Sequence, residues 1–462
     1  MKYIDEMDKM GGFEASMLGA SIVPEVVKRV DLLSPVGIKY HCSLLKKNGQ
    51  AEEYVKFEAL KEESEKLVDM LLDRELKFSL FTNIKNSLRE GTRKLDSFCM
   101  GEIMQLGKYT EKRLLSSYKK ILDIYFHYFG IGGFTFIYEA YLAEALIISL
   151  KDKIKNPEDF VFSYMDSKNK KYVSYMIEYE KALLNLSKKP SEKSMKSILK
   201  DFYYIKSNYH DSKILNDRII KHDLQHLHEK KPRSHRRFSE GQIKSELRQL
   251  PRRTRVMLEI VALTLPLRDM RKRINQTGQF ILFRFFDEAL KGKGIEKKRN
   301  LFLRMFWFEF EDLIKNPGNL EKKLKKRKAA TLYYGNEKAL YLTGIAVKKR
   351  KPAKNDVLKG VIASKGMADG IARIIMGQKD FWKFEKGDIL ISEATRPEFV
   401  PIMKKAAAVV TEEGGITSHA AIISRELKIP CIVGVSHITS ILKDGDLVEV
   451  DANNGIIKKL RK

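Results

Sequence analysis

Cysteine is scarce in this chain: Cys42, Cys99 and Cys431 are the only three among 462 residues. They lie far apart and form no paired or metal-ligand spacing, which excludes a disulfide-stapled fold and points to a reducing, cytoplasmic compartment. Long apolar runs are lacking too. The longest, residues 134–148, carries Glu139 and Glu144 and falls short of the roughly 20 apolar residues that span a bilayer. No membrane association is expected, and the stretch reads as a buried helix. No basic segment followed by an apolar core stands at the N-terminus, so no signal peptide is expected. Phosphate loops are missing as well: Gly130-Ile131-Gly132-Gly133 has neither a preceding strand nor a lysine-serine ending, and it reads as a turn between helices.

Acidic residues are the short side of the charge balance, with 60 Asp and Glu against 87 Lys and Arg and a formal net charge of +27. The basic residues are dense from 230 to 273. A solvated basic face or an anionic partner accounts for such an excess. Nucleic acid is an unlikely partner, because no nucleic-acid motif or aromatic-basic pattern accompanies the charge. A nucleotide, an acidic partner subunit or an anionic acceptor satisfies it equally well. His222 and His226 sit four apart, with His228 following, a spacing that places two imidazoles on one helical face. The glutamate of a zincin is absent and the neighbouring cations repel a metal, so no metal site is assigned.

What is present begins with an ordinary globular composition, 43% hydrophobic and 32% charged, which excludes wholesale disorder and suits two or three domains. From about residue 52 to 328 the apolar spacing is mainly three and four, the helical period. Leu114, Leu115, Tyr118, Ile121, Leu122 and Tyr125 make one stripe, and Met257, Ile260, Val261 and residues 263–265 begin another. Turn signals at Asn156-Pro157, Lys189-Pro190, Lys231-Pro232 and Asn316-Pro317-Gly318 separate the helices. Residues 1–347 are therefore expected to form a mainly α-helical domain, and 348–356, with Lys348-Lys349-Arg350-Lys351, a charged and exposed linker.

The last hundred residues differ in kind. Ala407-Ala408-Val409-Val410-Thr411 reads as a short buried strand. Gly414-Gly415 then allow a turn in which backbone approaches a ligand without an intervening Cβ. Thr417 or Ser418 can cap a helix running to about Leu427, and Pro430 stops it. His419 falls in the first turn of that helix, where free N–H groups and the helix dipole favour a phosphate. A neutral imidazole is a nucleophile near pH 7 and forms a labile P–N bond. An arbitrary histidine at a helix start is more often a capping or packing residue, and the surroundings decide against that here.

The stretch Thr411-Glu412-Glu413-Gly414-Gly415-Ile416-Thr417-Ser418-His419 closely resembles the signature of the phosphohistidine, or swivelling, domain of phosphoenolpyruvate-utilising enzymes. Four further segments resemble that domain in the same order: 360–366, 370–375, 387–391 with Thr395-Arg396-Pro397, and 443–457. Lys365 stands where the family usually has proline. Parts of 201–209 and 267–313 resemble, more weakly, the helices of synthase-like and rifampicin-phosphotransferase-like chains. The resemblance implies an α+β multidomain chain, with an α-helical N-terminal domain followed by a swivelling β/β/α phosphohistidine domain over 357–462. It implies that His419 takes a phosphoryl group, that Gly414, Gly415, Thr417 and Ser418 shape the phosphate pocket, and that Thr395, Arg396 and Arg425 stabilise charge. Neither the ATP-grasp domain nor the barrel of the family synthases is visible in the sequence. ATP and magnesium are therefore expected on a separate ATP-grasp subunit, with no cofactor assigned to this chain and a small molecule as the phosphoryl acceptor. A regulatory or scaffold module retaining the fold, and a basic nucleic-acid-binding protein, are the rival classes.

Overall fold

The structure of the chain, a computed structural model, describes residues 8–14, 16–27, 40–46, 50–55, 57–72, 79–133, 135, 142–207, 212, 214–227, 238–327, 329–335, 338–343, 357–395, 399–415, 418–435 and 438–460. The region 348–356 lies outside the described residues, as do Lys231-Pro232 and most of 134–141. Among the described residues, no helix is long and apolar enough to cross a membrane.

Helices dominate the N-terminal part. The principal ones are α1 (Phe57–Leu72), α2 (Ser79–Glu102), α3 (Glu111–Gly133), α4 (Leu142–Leu150), α5 (Pro157–Lys168) and α6 (Arg252–Gly292). The 41-residue α6 buries side chains on all sides, among them Leu258, Ile260, Leu267, Ile274, Leu282 and Phe286, and a helix apolar all round belongs in the middle of a bundle. Its neighbours approach closely. A Cβ on Gly278 would stand 2.3 Å from the ring of Tyr125 on α3, so only glycine lets that ring lie against the α6 backbone. The same logic revises the reading of residues 130–133. They form no turn: α3 runs through Gly133, and a Cβ on Gly132 would meet Arg271 Cγ at 2.9 Å.

Pro266 lies inside α6. Its ring removes the N–H that would bond the carbonyl four residues back, which belongs to Ala262. Asn169, just past the end of α5, supplies the missing donor: its Nδ2 reaches the Ala262 oxygen at 2.9 Å and its own Met165 carbonyl at 2.9 Å. The proline is thereby held in a long helix without an orphaned carbonyl.

A sheet closes this helical part, and the sequence reading did not anticipate it. Strands β1 (Asp8–Glu14), β2 (Tyr40–Lys46), β3 (Gln50–Val55), β4 (Ala329–Gly335) and β5 (Lys338–Thr343) pair antiparallel in the order β1-β3-β2-β4-β5. The β2–β4 ladder joins residues nearly 300 positions apart in sequence. At the entry to β4, Arg327 is buried and forks onto Glu309, with Nη1 to Oε2 and Nη2 to Oε1 both at 2.7 Å. The Phe306 amide donates to the same carboxylate at 2.7 Å, and Lys323 stands 2.6 Å from it.

The C-terminal part is built on an eight-stranded sheet, β6 (Val357–Lys359), β7 (Val361–Ser364), β8 (Met367–Ile374), β9 (Ile389–Ser392), β10 (Ala408–Thr411), β11 (Cys431–Val433), β12 (Leu447–Asp451) and β13 (Ile456–Lys459), in the order β6-β13-β12-β8-β9-β10-β11-β7. The centre, β8-β9-β10-β11, is parallel, and the flanking strands are antiparallel. Every residue of β9 and β10 is buried, as expected of parallel strands covered on both faces. Leu390 and Val409 face one core with Ala420 and Ala421 of helix α7 (His419–Leu427); Ile389, Ile391, Ala408 and Val410 face the other with Val448 and Val450.

Candidate functional site

Loops leaving the carboxyl ends of adjacent parallel strands commonly build the sites of open α/β sheets, and here β9 and β10 do so in register, Ser392 opposite Thr411. Backbone bonds tie the two exits together: Glu412 N donates to Ser392 O at 3.0 Å and Glu413 N to Glu393 O at 2.8 Å. The Thr411 hydroxyl adds a bond to the Glu413 carbonyl at 2.6 Å. Beneath the loop, the buried Glu412 carboxylate accepts from the Thr439 hydroxyl. Neither Glu412 nor Thr439 was picked out by sequence; an acidic pair ahead of two glycines was the available signal.

The chain then turns at Gly414, with φ +107°, and a Cβ there would sit 2.7 Å from Ser418 Cβ. Both the left-handed backbone and the close approach demand glycine. The Gly415 carbonyl accepts from Ser418 N at 2.9 Å. Ser418 is the N-cap of α7: its extended backbone, φ −69° and ψ 161°, feeds the helix while its Oγ accepts from Ala421 N at 3.3 Å. The first intrahelical bond runs from Ile422 N to Ser418 O, so the His419 and Ala420 amides precede it. At the far end Lys428 takes the left-handed conformation, φ 56°, two residues before Pro430.

His419 is the first residue of the helix and is half-buried. Thr395, buried on the loop after β9, places its Oγ1 2.8 Å from His419 Nδ1. One ring nitrogen is thus engaged by the protein, and the other, Nε2, lies across the ring from that contact. With Nδ1 protonated and donating to Thr395, Nε2 is the unprotonated ring nitrogen.

Of the residues selected by sequence, the structure brings together Gly414, Gly415, Ser418, His419 and Thr395. Arg396 and Thr417 lie outside the described residues. Arg425 is not at His419. Six residues along α7 place it about 9 Å further down the axis, where Nη1 donates to the Ala363 carbonyl at 3.2 Å and the guanidinium lies 4.1 Å over the Phe162 ring. Proximity in sequence on a helix concealed that separation. Cys431 is fully buried beside α7, and burial pushes its thiol up to about 12, which suits packing and not chemistry. Burial does the same to Cys99. His222 is exposed with Nδ1 3.7 Å from Asp223, whereas the side chains of His226 and His228 are outside the described residues.

Residues 384–455 match the family described as PEP-utilising enzyme, mobile domain. The probable phosphoenolpyruvate synthase of Archaeoglobus fulgidus is 47% identical over 119 residues, covering 24% of this chain and 16% of the relative. The phosphoenolpyruvate synthase of Pyrococcus furiosus is 50% identical over 103 residues, 22% of this chain and 13% of the relative. The uncharacterized phosphotransferase YvkC of Bacillus subtilis is 32% identical over 185 residues, 37% of this chain and 22% of the relative. The matched segment therefore spans less than a quarter of each of these relatives. Over residues 384–455, the C-terminal part of this chain is thus similar to the mobile domain of PEP-utilising enzymes.

Proposed function

We propose that this protein is a phosphoryl carrier, in which His419 takes a phosphoryl group from a nucleotide held by a separate subunit and delivers it to a small acceptor. The observation that carries this reading is the Thr395 contact to His419 Nδ1, 2.8 Å, at a histidine that opens a helix behind a glycine turn. The Nε2 lone pair attacks phosphorus; the P–O bond to the leaving group breaks, and that oxygen departs with the electron pair. The ring becomes cationic, and the Nδ1 proton stays on the imidazolium, hydrogen-bonded to Thr395 Oγ1. Transferred oxygens face the first-turn amides and the Gly414-Gly415 turn, where backbone donors and the helix dipole favour negative charge. No covalent help is needed beyond positioning and charge stabilisation.

In the same proposal the chain divides at the basic segment 348–356, and the unit 357–462 turns about it between donor and acceptor. An acidic ATP-grasp chain supplying ATP and magnesium is the proposed partner, matched to the net charge of +27. Relatives named as phosphoenolpyruvate synthase or phosphotransferase support the class of reaction.

Incubating the purified chain with β- and γ-labelled ATP and with labelled phosphoenolpyruvate, each with and without host extract, tests the proposal. Acid-labile label on the wild type and none on His419→Ala, read by intact mass, is the expected result. Label persisting in the variant, or none under any condition, sinks the carrier reading.

A further inference from the structure

Among the described residues, β7 and α7 of the C-terminal part touch the helical part. Strand β7 is the edge of its sheet. Val361 on it packs both against the core of its own sheet and against the core of the helical bundle. Two residues on, the Ala363 carbonyl receives Arg425 Nη1, and the guanidinium extends over Phe162 of α5 at 4.1 Å. Phe162 is half-buried, between Val161 and Ser163, which are buried, so its ring is the part of α5 offered outward. Val361 and the stack are thus contacts that join the β7–α7 layer to the helical part among the described residues.

We infer that the stack of Arg425 on Phe162 is a releasable latch, holding the C-terminal part against α5 with His419 half-buried at the other end of α7. The contact grips the C-terminal turn of α7 while the N-terminal turn of the same rigid helix presents the half-buried His419. Docking and presentation of the histidine are therefore properties of one element. A partly exposed cation stacked on a phenyl ring is a weak attachment, and its breaking leaves little behind: Arg425 keeps the Ala363 carbonyl as a hydrogen-bond partner, and Phe162 stays half-covered on α5. For its purpose, though not for its existence, the latch rests on the carrier reading, since a histidine that visits two sites needs a resting place it can leave.

Distance measurements by pulsed paramagnetic resonance test this, with labels introduced site-specifically at the exposed Lys193 and Lys404 of the full chain. The wild type should give one dominant separation. Phe162→Ala and Arg425→Ala should each lower the docked-to-free ratio by about three- to thirtyfold, Phe162→Tyr should retain it, and the double variant should do no more than either single change. Should Phe162→Ala fail to fold, Arg425→Ala still decides. A wild-type distribution already broad, or a docked ratio unmoved by both alanine variants, overturns the latch. His419→Ala is expected to leave the separation unchanged. Phosphoryl labelling run on the same samples keeps the two ideas apart: absent label with a responsive distance removes the carrier reading and leaves the latch standing.

Discussion

The two parts of this chain treat their polar groups in opposite ways. In the helical part, Arg327 and Glu309 have side chains only 2% exposed each and every oxygen of the carboxylate is engaged, by Arg327, Lys323 and the Phe306 amide. In the C-terminal part, His419 is held at one ring nitrogen by one hydroxyl and is half-buried at a loop junction. The first arrangement has nothing left to react with. The second fixes the orientation of an imidazole through a single hydroxyl. A polar group built for structure is sealed in by its partners, and one built for chemistry is oriented at a loop junction where it is only half-covered.

Breaking the filled site should have the largest effect. Arg327→Met leaves the buried Glu309 carboxylate with only Lys323 and the Phe306 amide, and removal of one partner of a buried pair costs about 3–5 kcal/mol. Denaturant melts should show that loss in the helical transition, with phosphoryl labelling of any surviving folded protein intact. A loss below about 1 kcal/mol would mean that water reaches Glu309 and that the contrast between the two parts is false. Thr395→Val inverts the experiment: it removes the Nδ1 partner without changing shape greatly. Loss of one hydrogen bond to a charged ring predicts a labelling rate about 10- to 100-fold lower, with the melting midpoint little changed. An unchanged rate would show that Thr395 packs against the ring without setting its tautomer.

The same distinction explains what could be read from the sequence. The C-terminal part was legible because its determinants are local: Gly414, Ser418 and His419 lie within six residues, and their backbone requirements follow from residue type. Thr395 is 24 residues away; resemblance marked it for charge stabilisation, and its contact with His419 Nδ1 was not anticipated. The sheet β1–β5 was invisible because β2 and β4 are separated by most of the chain, so that neither Tyr40–Lys46 nor Ala329–Gly335 carries a trace of its partner. The contact of Arg425 was not legible because helical phase and rise cannot be judged against a neighbour, Phe162, that sits in another part of the chain. Glycines 130–133 read as a turn by composition, although at Gly132 the Arg271 side chain needed the missing Cβ space.

A smaller effect probes whether satisfaction of polar groups in the helical part extends to backbone. Asn169→Ala withdraws the donor that completes the Ala262 carbonyl next to Pro266, and an orphaned buried acceptor predicts a loss of about 1–2 kcal/mol. Pro266→Ala in the same background should restore part of it, since the helix then supplies its own N–H. Melting curves of the two single variants and the double variant check this; additive effects would show that Asn169 and Pro266 do not compensate each other.

Acid provides the finest test of the contrast. Burial raises the Glu309 carboxyl, but the hydrogen bonds from Arg327, Lys323 and the Phe306 amide outweigh it and hold the group below its ordinary value of 4.5. A carboxyl whose folded value is depressed binds fewer protons than the unfolded chain, so its stabilisation is fully present above that ordinary value and fades as pH falls through the lower, folded one. Wild type should therefore lose stability on acidification below about pH 4.5 more steeply than Glu309→Gln, which has no proton to take up there. The variant is less stable at neutral pH, and its curve should converge on the wild type's as acid protonates Glu309. Parallel curves across the whole acid range would show that the Glu309 pair is solvated and that polar groups in the two parts are treated alike.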